Sequence, residues 1–80
     1  MGLDELPHGQ RGIVARINGE PGLAVSLLRL GFVPGAPVCV IRSAPLGDPL
    51  QVEVSGSHLA IRRDVAATIQ VEPASGTGAT

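Results

Sequence analysis

The chain has little of what most metal, disulfide and nucleic-acid sites require. Among its 80 residues there is one cysteine, Cys39, which excludes an intramolecular disulfide and a four-cysteine zinc site. Phe32 is the single aromatic residue, so the stacking platform of a single-strand nucleic-acid binder is missing. The formal net charge is −1 and none of the six basic residues is a lysine. We therefore expect no nucleic-acid partner.

Long apolar runs are also missing. No run approaches the roughly 20 apolar residues of a transmembrane helix, so we expect no direct membrane insertion. The chain does not open with a charged segment followed by an apolar one, and we expect a cytoplasmic protein without a cleaved signal. The length allows one domain with a single small core.

What the chain has in abundance is glycine and proline, 11 and 7 residues, placed between short apolar runs. This punctuation predicts many short elements. The pattern indicates five strands, at 13–17, 38–43, 50–54, 57–62 and 68–71, a short helix at 23–30 and a helical turn at 63–67. In the first strand Ile13, Ala15 and Ile17 alternate with Val14 and Arg16 and are expected to share its half-buried face, and Gly31 is expected to end the helix. Residues 1–72 are then the domain, and residues 73–80, rich in Ala, Ser, Gly and Thr, are predicted to be a flexible tail.

The strongest register prediction concerns the third and fourth strands. If residues 55 and 56 form a two-residue hairpin loop, the apolar side chains of both strands share one face. The pairs on that face are Val54 with Ser57, Val52 with Leu59 and Leu50 with Ile61. Five short strands with one inward apolar row each, and one helix after the first strand, favour a mostly β fold, a small curled barrel. Closure would remove its exposed edges.

The predicted helix carries more apolar residues than one buried face needs. At about 100° per residue, Leu23, Ala24, Leu27 and Leu30 share the face that we expect to pack on the barrel. Val25 then points away from the core beside Arg29, with Leu28 on the flank. Apolar residues on the outer side of a surface helix indicate a contact site for a partner or for self-association.

Catalytic and metal-binding patterns are weak. The serines lie in no nucleophile-elbow context and the glycines form no phosphate-binding loop, so we predict no enzyme and no catalytic residue. Across the predicted hairpin, Glu53 and His58 offer one oxygen and one nitrogen to a divalent ion, two ligands where structural zinc takes four. The other interpretation of this pair is a solvated surface contact. Cys39 is expected to be a small packed side chain.

Several segments, in order and at the right spacing, resemble the FeoA family, and the resemblance runs from about Leu3 to Glu72. The segments are LLRLGFVPG at 27–35, APLGDPL at 44–50, the hairpin residues Val52, Val54 and Gly56, LAIRRDVA at 59–66, and Ile69 with Val71. Two positions depart from the frequent pattern. Ser26 replaces a basic residue and Arg29 an acidic one, so a partner that reads charge on the helix meets a different surface here.

The resemblance implies an SH3-like five-stranded barrel and a cytosolic bacterial accessory to FeoB, a ferrous-iron transporter with a cytosolic GTPase domain. We expect a non-catalytic module that needs no cofactor. The residues predicted to bind the partner are Val25, Leu28 and Arg29 on the helix and Leu46, Gly47 and Asp48 at a loop tip. The alternative, also suggested by related domains of metal-dependent repressors, is a domain that binds or senses a divalent transition metal.

Overall fold

Five antiparallel strands form one sheet in the order β4-β3-β2-β1-β5. The computed structural model describes residues 1–74. After a 3₁₀ turn at Leu3–Glu5, the elements are β1 Arg11–Ile17, α1 Pro21–Leu30, β2 Pro37–Ser43, β3 Leu50–Val54, β4 Ser57–Ile61, α2 Arg63–Ala66 and β5 Ile69–Pro73. The mostly β class is confirmed, as are the helix after the first strand and the helical turn before the last.

The sheet is open, so "barrel" applies only loosely. Its edge strands, β4 and β5, do not pair with each other in the described part of the chain. The edge of β5 is instead covered by the start of the chain. Gly2 bridges Gln70, and the Val71 N–H donates to the Met1 carbonyl oxygen at 2.8 Å. Protection of this edge therefore comes from the N-terminal residues and not from closure.

The predicted hairpin register is confirmed at every pair, from Leu50 with Ile61 to Val54 with Ser57. Its two loop residues, Ser55 and Gly56, have φ of 52° and 84°, as a type I′ turn requires. A positive φ is unfavourable for serine, but tertiary contacts hold Ser55 in place. Its N–H donates to the Pro37 carbonyl oxygen and its hydroxyl to that of Gly31, both at 3.3 Å.

The expected alternation along the first strand fails at a β-bulge. Ala15 was predicted to lie with Ile13 and Ile17 on the half-buried face, yet it is exposed, and Val14 is buried. The register with β5 shifts between Val14 and Arg16, which leaves Ala15 as the extra residue. Because one inserted residue reverses the side-chain alternation, a strict period of two misassigns the faces on one side of it.

Helix α1 begins two residues earlier than predicted, with Pro21 as its first residue. Proline suits this position because its fixed φ is helical and its missing N–H has no partner there. The helix ends at Gly31, as predicted, with φ of 112°. The Phe32 N–H donates to the Leu27 carbonyl oxygen and the Gly31 N–H to that of Leu28, which is a Schellman motif.

This ending corrects the prediction for Leu30, which was expected to face the core but is 50% exposed. The Schellman turn reverses the chain so that Phe32, fully buried, packs with Leu27 in the core. An apolar contact of this kind between the residue after the glycine and the last helical turn commonly accompanies the motif. Phe32 thus takes the place in the core that the helical pattern assigned to Leu30.

The last strand extends slightly beyond its predicted end. Strand β5 runs to Pro73, two residues past the predicted end of the strand, and the Ala74 N–H donates to the Arg11 carbonyl oxygen at 2.9 Å. Of the predicted tail, 73–80, residues 75–80 lie outside the described residues.

Candidate partner-binding surface

The outer side of α1 presents apolar surface beside a charge. Val25 and Leu28 are 47% and 41% exposed, and Arg29 is exposed next to them. These three residues, here called the helix patch, fall within about 100° of one another around the helix axis. The exposure expected of all three is confirmed. Their role in binding stays a prediction.

The second predicted region is the loop between β2 and β3, here called the 44–49 loop. Leu46 at its tip is 96% exposed, the most exposed of the large apolar residues in the described chain. The Gly47 N–H donates to the Ala44 carbonyl oxygen at 2.7 Å, and Pro45 occupies the second position of this four-residue turn, where proline is favoured. At the base, the Ala44 N–H donates to the Pro49 carbonyl oxygen at 2.9 Å. The leucine is therefore carried on a loop closed by its own hydrogen bonds.

The loop is also attached to α2, through Asp48 and Arg63. The Asp48 carboxylate accepts the backbone N–H of Arg63 at 3.0 Å. The N-cap residue of α2, Arg62, makes no side-chain capping bond, so Asp48 satisfies this first helical N–H from another segment. The Arg63 guanidinium donates in return to the Gly47 carbonyl oxygen and, at 3.4 Å, to that of Asp4.

Arg63 was not among the predicted site residues. It follows the loop by about 15 positions, and a single sequence carries no periodic signal that links a side chain to a distant carbonyl oxygen. The motif at 59–66 contained Arg63 but did not distinguish it from Arg62. The structure does, because the Arg62 side chain is exposed and, within residues 1–74, pairs only with Asp64, at 3.5 Å, whereas Arg63 is half-buried.

The helix patch and the 44–49 loop are anchored separately. The end of α1 is joined to the β3–β4 turn by the Ser55 hydroxyl, and the loop is joined to α2 by Arg63. No hydrogen bond or ion pair connects the two regions within residues 1–74. Substitutions in one region are therefore expected to leave the other region's conformation unchanged.

The predicted metal candidates, Glu53 and His58, lie in a row with Cys39 across the outer face of the sheet. Cys39 pairs with Glu53 and Glu53 with His58, on three neighbouring strands. His58 Nε2 and Glu53 Oε2 are 3.8 Å apart, and both side chains are well exposed. Cys39 is half-buried, and its sulfur lies 3.8 Å from the Val40 carbonyl oxygen. Within residues 1–74, no group of three or more His, Cys, Asp or Glu side chains is placed to hold a metal ion.

A family model, the FeoA domain, matches residues 1–73. The chain belongs to the FeoA family. The resemblance of the motifs is thereby confirmed over nearly the whole described domain. None of the helices within residues 1–74 of this FeoA domain is long and apolar enough to cross a membrane.

Among the relatives is the Fe(2+) transport protein A/Fe(2+) transporter FeoB fusion protein of Porphyromonas gingivalis. It is 35% identical over 72 residues, which are 90% of this chain but only 8% of the fusion protein. The chain thus spans a small part of that relative. The Campylobacter jejuni putative Fe(2+) transport protein A is 34% identical and is matched over 96% of its length.

Solved structures share the fold closely. The FeoA protein of Chlorobium tepidum has a TM-score of 0.89 and 41% identity, over 98% of this chain and 74% of that one. The Stenotrophomonas maltophilia FeoA, an SH3 domain protein complexed with zinc, has a TM-score of 0.79 and 32% identity, over 90% of this chain and 89% of that one. The SH3-like fold that the motifs implied is confirmed.

Proposed function

We propose that this FeoA domain is a non-catalytic accessory module of ferrous-iron transport that binds the cytosolic part of a FeoB-type transporter. The observation that carries the proposal is the Porphyromonas gingivalis protein, in which a segment similar to this chain is joined to FeoB in one polypeptide. Joining two domains by a linker raises their effective concentration to about the millimolar range. Where the two domains are not joined, the association depends on the surface of the module alone.

The helix patch and the 44–49 loop are the surfaces proposed for this contact. Val25 and Leu28 offer apolar area next to the Arg29 guanidinium. The buried centre of an interface is more apolar than its rim, and arginine is enriched at interfaces. Leu46 projects from a loop that its own hydrogen bonds and Arg63 already order. Docking such a loop loses less conformational entropy than docking a loose one.

The proposed mode of action is a population shift in the transporter. A module without a catalytic group changes the activity of its partner only by binding one conformation of that partner more tightly than another. We propose that it works on the cytoplasmic side and requires no cofactor. On this model, GTP turnover by the transporter changes with the concentration of the module and saturates with the binding isotherm.

The direct test is calorimetric titration of the chain with the purified cytosolic region of the FeoB-type protein from the same organism. The Val25→Glu variant is expected to bind at least tenfold more weakly, because its carboxylate has to lose its water at an apolar contact, a cost that pairing with Arg29 one turn away does not repay. Ile41→Glu is the matched control, since Ile41 is 42% exposed on β2 and outside both regions. Equal affinities for wild type and Val25→Glu, with equal melting temperatures, would remove the helix patch from the interface.

The same calorimeter tests the metal alternative. Fe(II), Mn(II) and Zn(II) titrated into the chain alone are expected to give no stoichiometric, micromolar site, because Glu53 and His58 supply two ligands and both are solvated. Stoichiometric heat that disappears in His58→Ala would replace the proposed function by a metal-binding one.

A further inference from the structure

We propose that Arg63 is the positioning residue of the 44–49 loop, holding Leu46 in the conformation in which it binds the partner. This inference rests on the proposed function, because it concerns the affinity of the same loop. Arg63 itself is not proposed to touch the partner. Its effect is transmitted through the backbone of the loop to the exposed leucine.

Two hydrogen bonds run from Arg63 to the 44–49 loop. The Arg63 guanidinium donates to the Gly47 carbonyl oxygen, one residue from the tip, and the Arg63 backbone N–H donates to the Asp48 carboxylate. One residue therefore holds two consecutive positions of the loop, one through its side chain and one through its main chain. The peptide between Leu46 and Asp48 has little freedom to move away from α2.

Arg63 is itself attached to two fixed parts of the domain, α2 and the N-terminal 3₁₀ turn. It begins α2, which ends in the fully buried Ala66, and its guanidinium also donates to the Asp4 carbonyl oxygen next to the fully buried Leu3. The guanidinium thus bridges the loop and the N-terminal 3₁₀ turn. A planar group with several fixed N–H donors can make both bonds at once, whereas a lysine ammonium is a point charge that lacks this geometry.

In the described part of the chain, the Leu46 side chain has almost no contacts of its own that fix its position. The side chain is 96% exposed, so within residues 1–74 almost no packing against the domain determines where it points. Its position follows from the backbone alone, which the turn hydrogen bond to Ala44 and the two bonds from Arg63 define. Loss of the guanidinium leaves the turn bond and the bond from the Arg63 backbone N–H to Asp48. It frees the Gly47 carbonyl oxygen and breaks the link between the loop and the 3₁₀ turn.

The chain offers a matched control in the neighbouring arginine. Arg62 and Arg63 carry the same charge at adjacent positions, but Arg62 is exposed and, in the described part of the chain, pairs only with Asp64. Arg62→Ala and Arg63→Ala change the net charge equally. A difference between them in affinity therefore reports the hydrogen bonds of Arg63 and not the electrostatic attraction of the partner.

The experiment is a double-mutant cycle on binding to the cytosolic region of the FeoB-type protein, with Arg63→Ala, Leu46→Ala and both changes together. Arg63→Ala is expected to weaken binding roughly 3- to 10-fold, the effect of losing the order of a few loop residues. In the Leu46→Ala background, Arg63→Ala is expected to weaken binding by less than a further factor of about two, because the side chain that Arg63 positions is gone. Arg62→Ala is expected to bind as wild type does, and Arg63→Lys to fall between wild type and Arg63→Ala.

A second readout needs no partner. Amide hydrogen exchange of Gly47, whose N–H donates to Ala44, is expected to accelerate in Arg63→Ala and in Arg63→Lys but not in Arg62→Ala. Equal fold-losses from Arg63→Ala with and without Leu46, or unchanged Gly47 exchange, would overturn the positioning role. If Leu46→Ala itself binds as wild type does, the loop is no part of the interface, and the proposed contact fails together with this inference.

Discussion

Truncation of Leu46 to alanine is the most informative single change, because it separates binding from folding. The side chain is 96% exposed, so the folded domain gains almost nothing from it. Surface substitutions without special contacts usually change stability by less than about 0.5 kcal/mol. The melting temperature of Leu46→Ala is therefore expected to match that of wild type closely.

The expected effect on affinity follows from the same exposure. Leucine carries three more carbon atoms than alanine, and burying each is worth about 0.8 kcal/mol. If the partner covers most of the side chain, the substitution removes about 2 kcal/mol of binding free energy, which corresponds to roughly 30-fold in Kd. Because the loop is ordered before it binds, little of this is offset by a change in loop entropy.

The assay is a calorimetric titration with the cytosolic region of the FeoB-type protein, run beside a thermal melt. Ile41→Ala serves as the control, since it shortens an apolar side chain that is exposed on β2 outside both proposed regions. Two results refute the reasoning. Affinity within twofold of wild type means that the partner does not cover Leu46, and a melting temperature lowered by several degrees means that Leu46 supports the fold.

The remaining predictions concern stability and are checked by chemical denaturation. Val52→Ala, at a fully buried site, is expected to lower the free energy of unfolding by about 1 to 4 kcal/mol. Gln51→Ala, on the outer face, is expected to change it little, and equal effects of the two substitutions would contradict the hairpin register. Gly22→Ala is expected to stabilise α1 by about 0.5 to 1 kcal/mol, because alanine has a higher helix propensity than glycine and the added methyl group meets nothing within 4 Å. Gly31→Ala is expected to destabilise by about 1 to 2 kcal/mol through its φ of 112°, so a stable variant would argue against the Schellman ending. Ser55→Gly removes the strain of a positive φ and the hydroxyl bond to Gly31 together, and a net change below about 1 kcal/mol is expected.

For the candidate surface, the sequence was informative where exposure follows from local chemistry. The helical spacing of Val25 and Leu28 predicted their exposure, and Leu46 was expected at a loop tip, as the structure has it. Arg63 could not be predicted, because its contacts reach carbonyl oxygens 16 and 59 residues away along the chain. Such a bond depends on how α2 and the 3₁₀ turn come together, which no local pattern encodes.

In the fold, too, some features follow from local sequence and others from tertiary structure. Local patterns by themselves determined the β3–β4 register and the glycine that ends α1, since alternation and a left-handed residue are properties of a few neighbouring positions. Tertiary structure alone decided which face of β1 is buried, because the bulge at Ala15 forms only against β5. It also decided that Phe32 and not Leu30 enters the core, because the turn after α1 directs the chain back under the helix, and only one of the two side chains reaches that space.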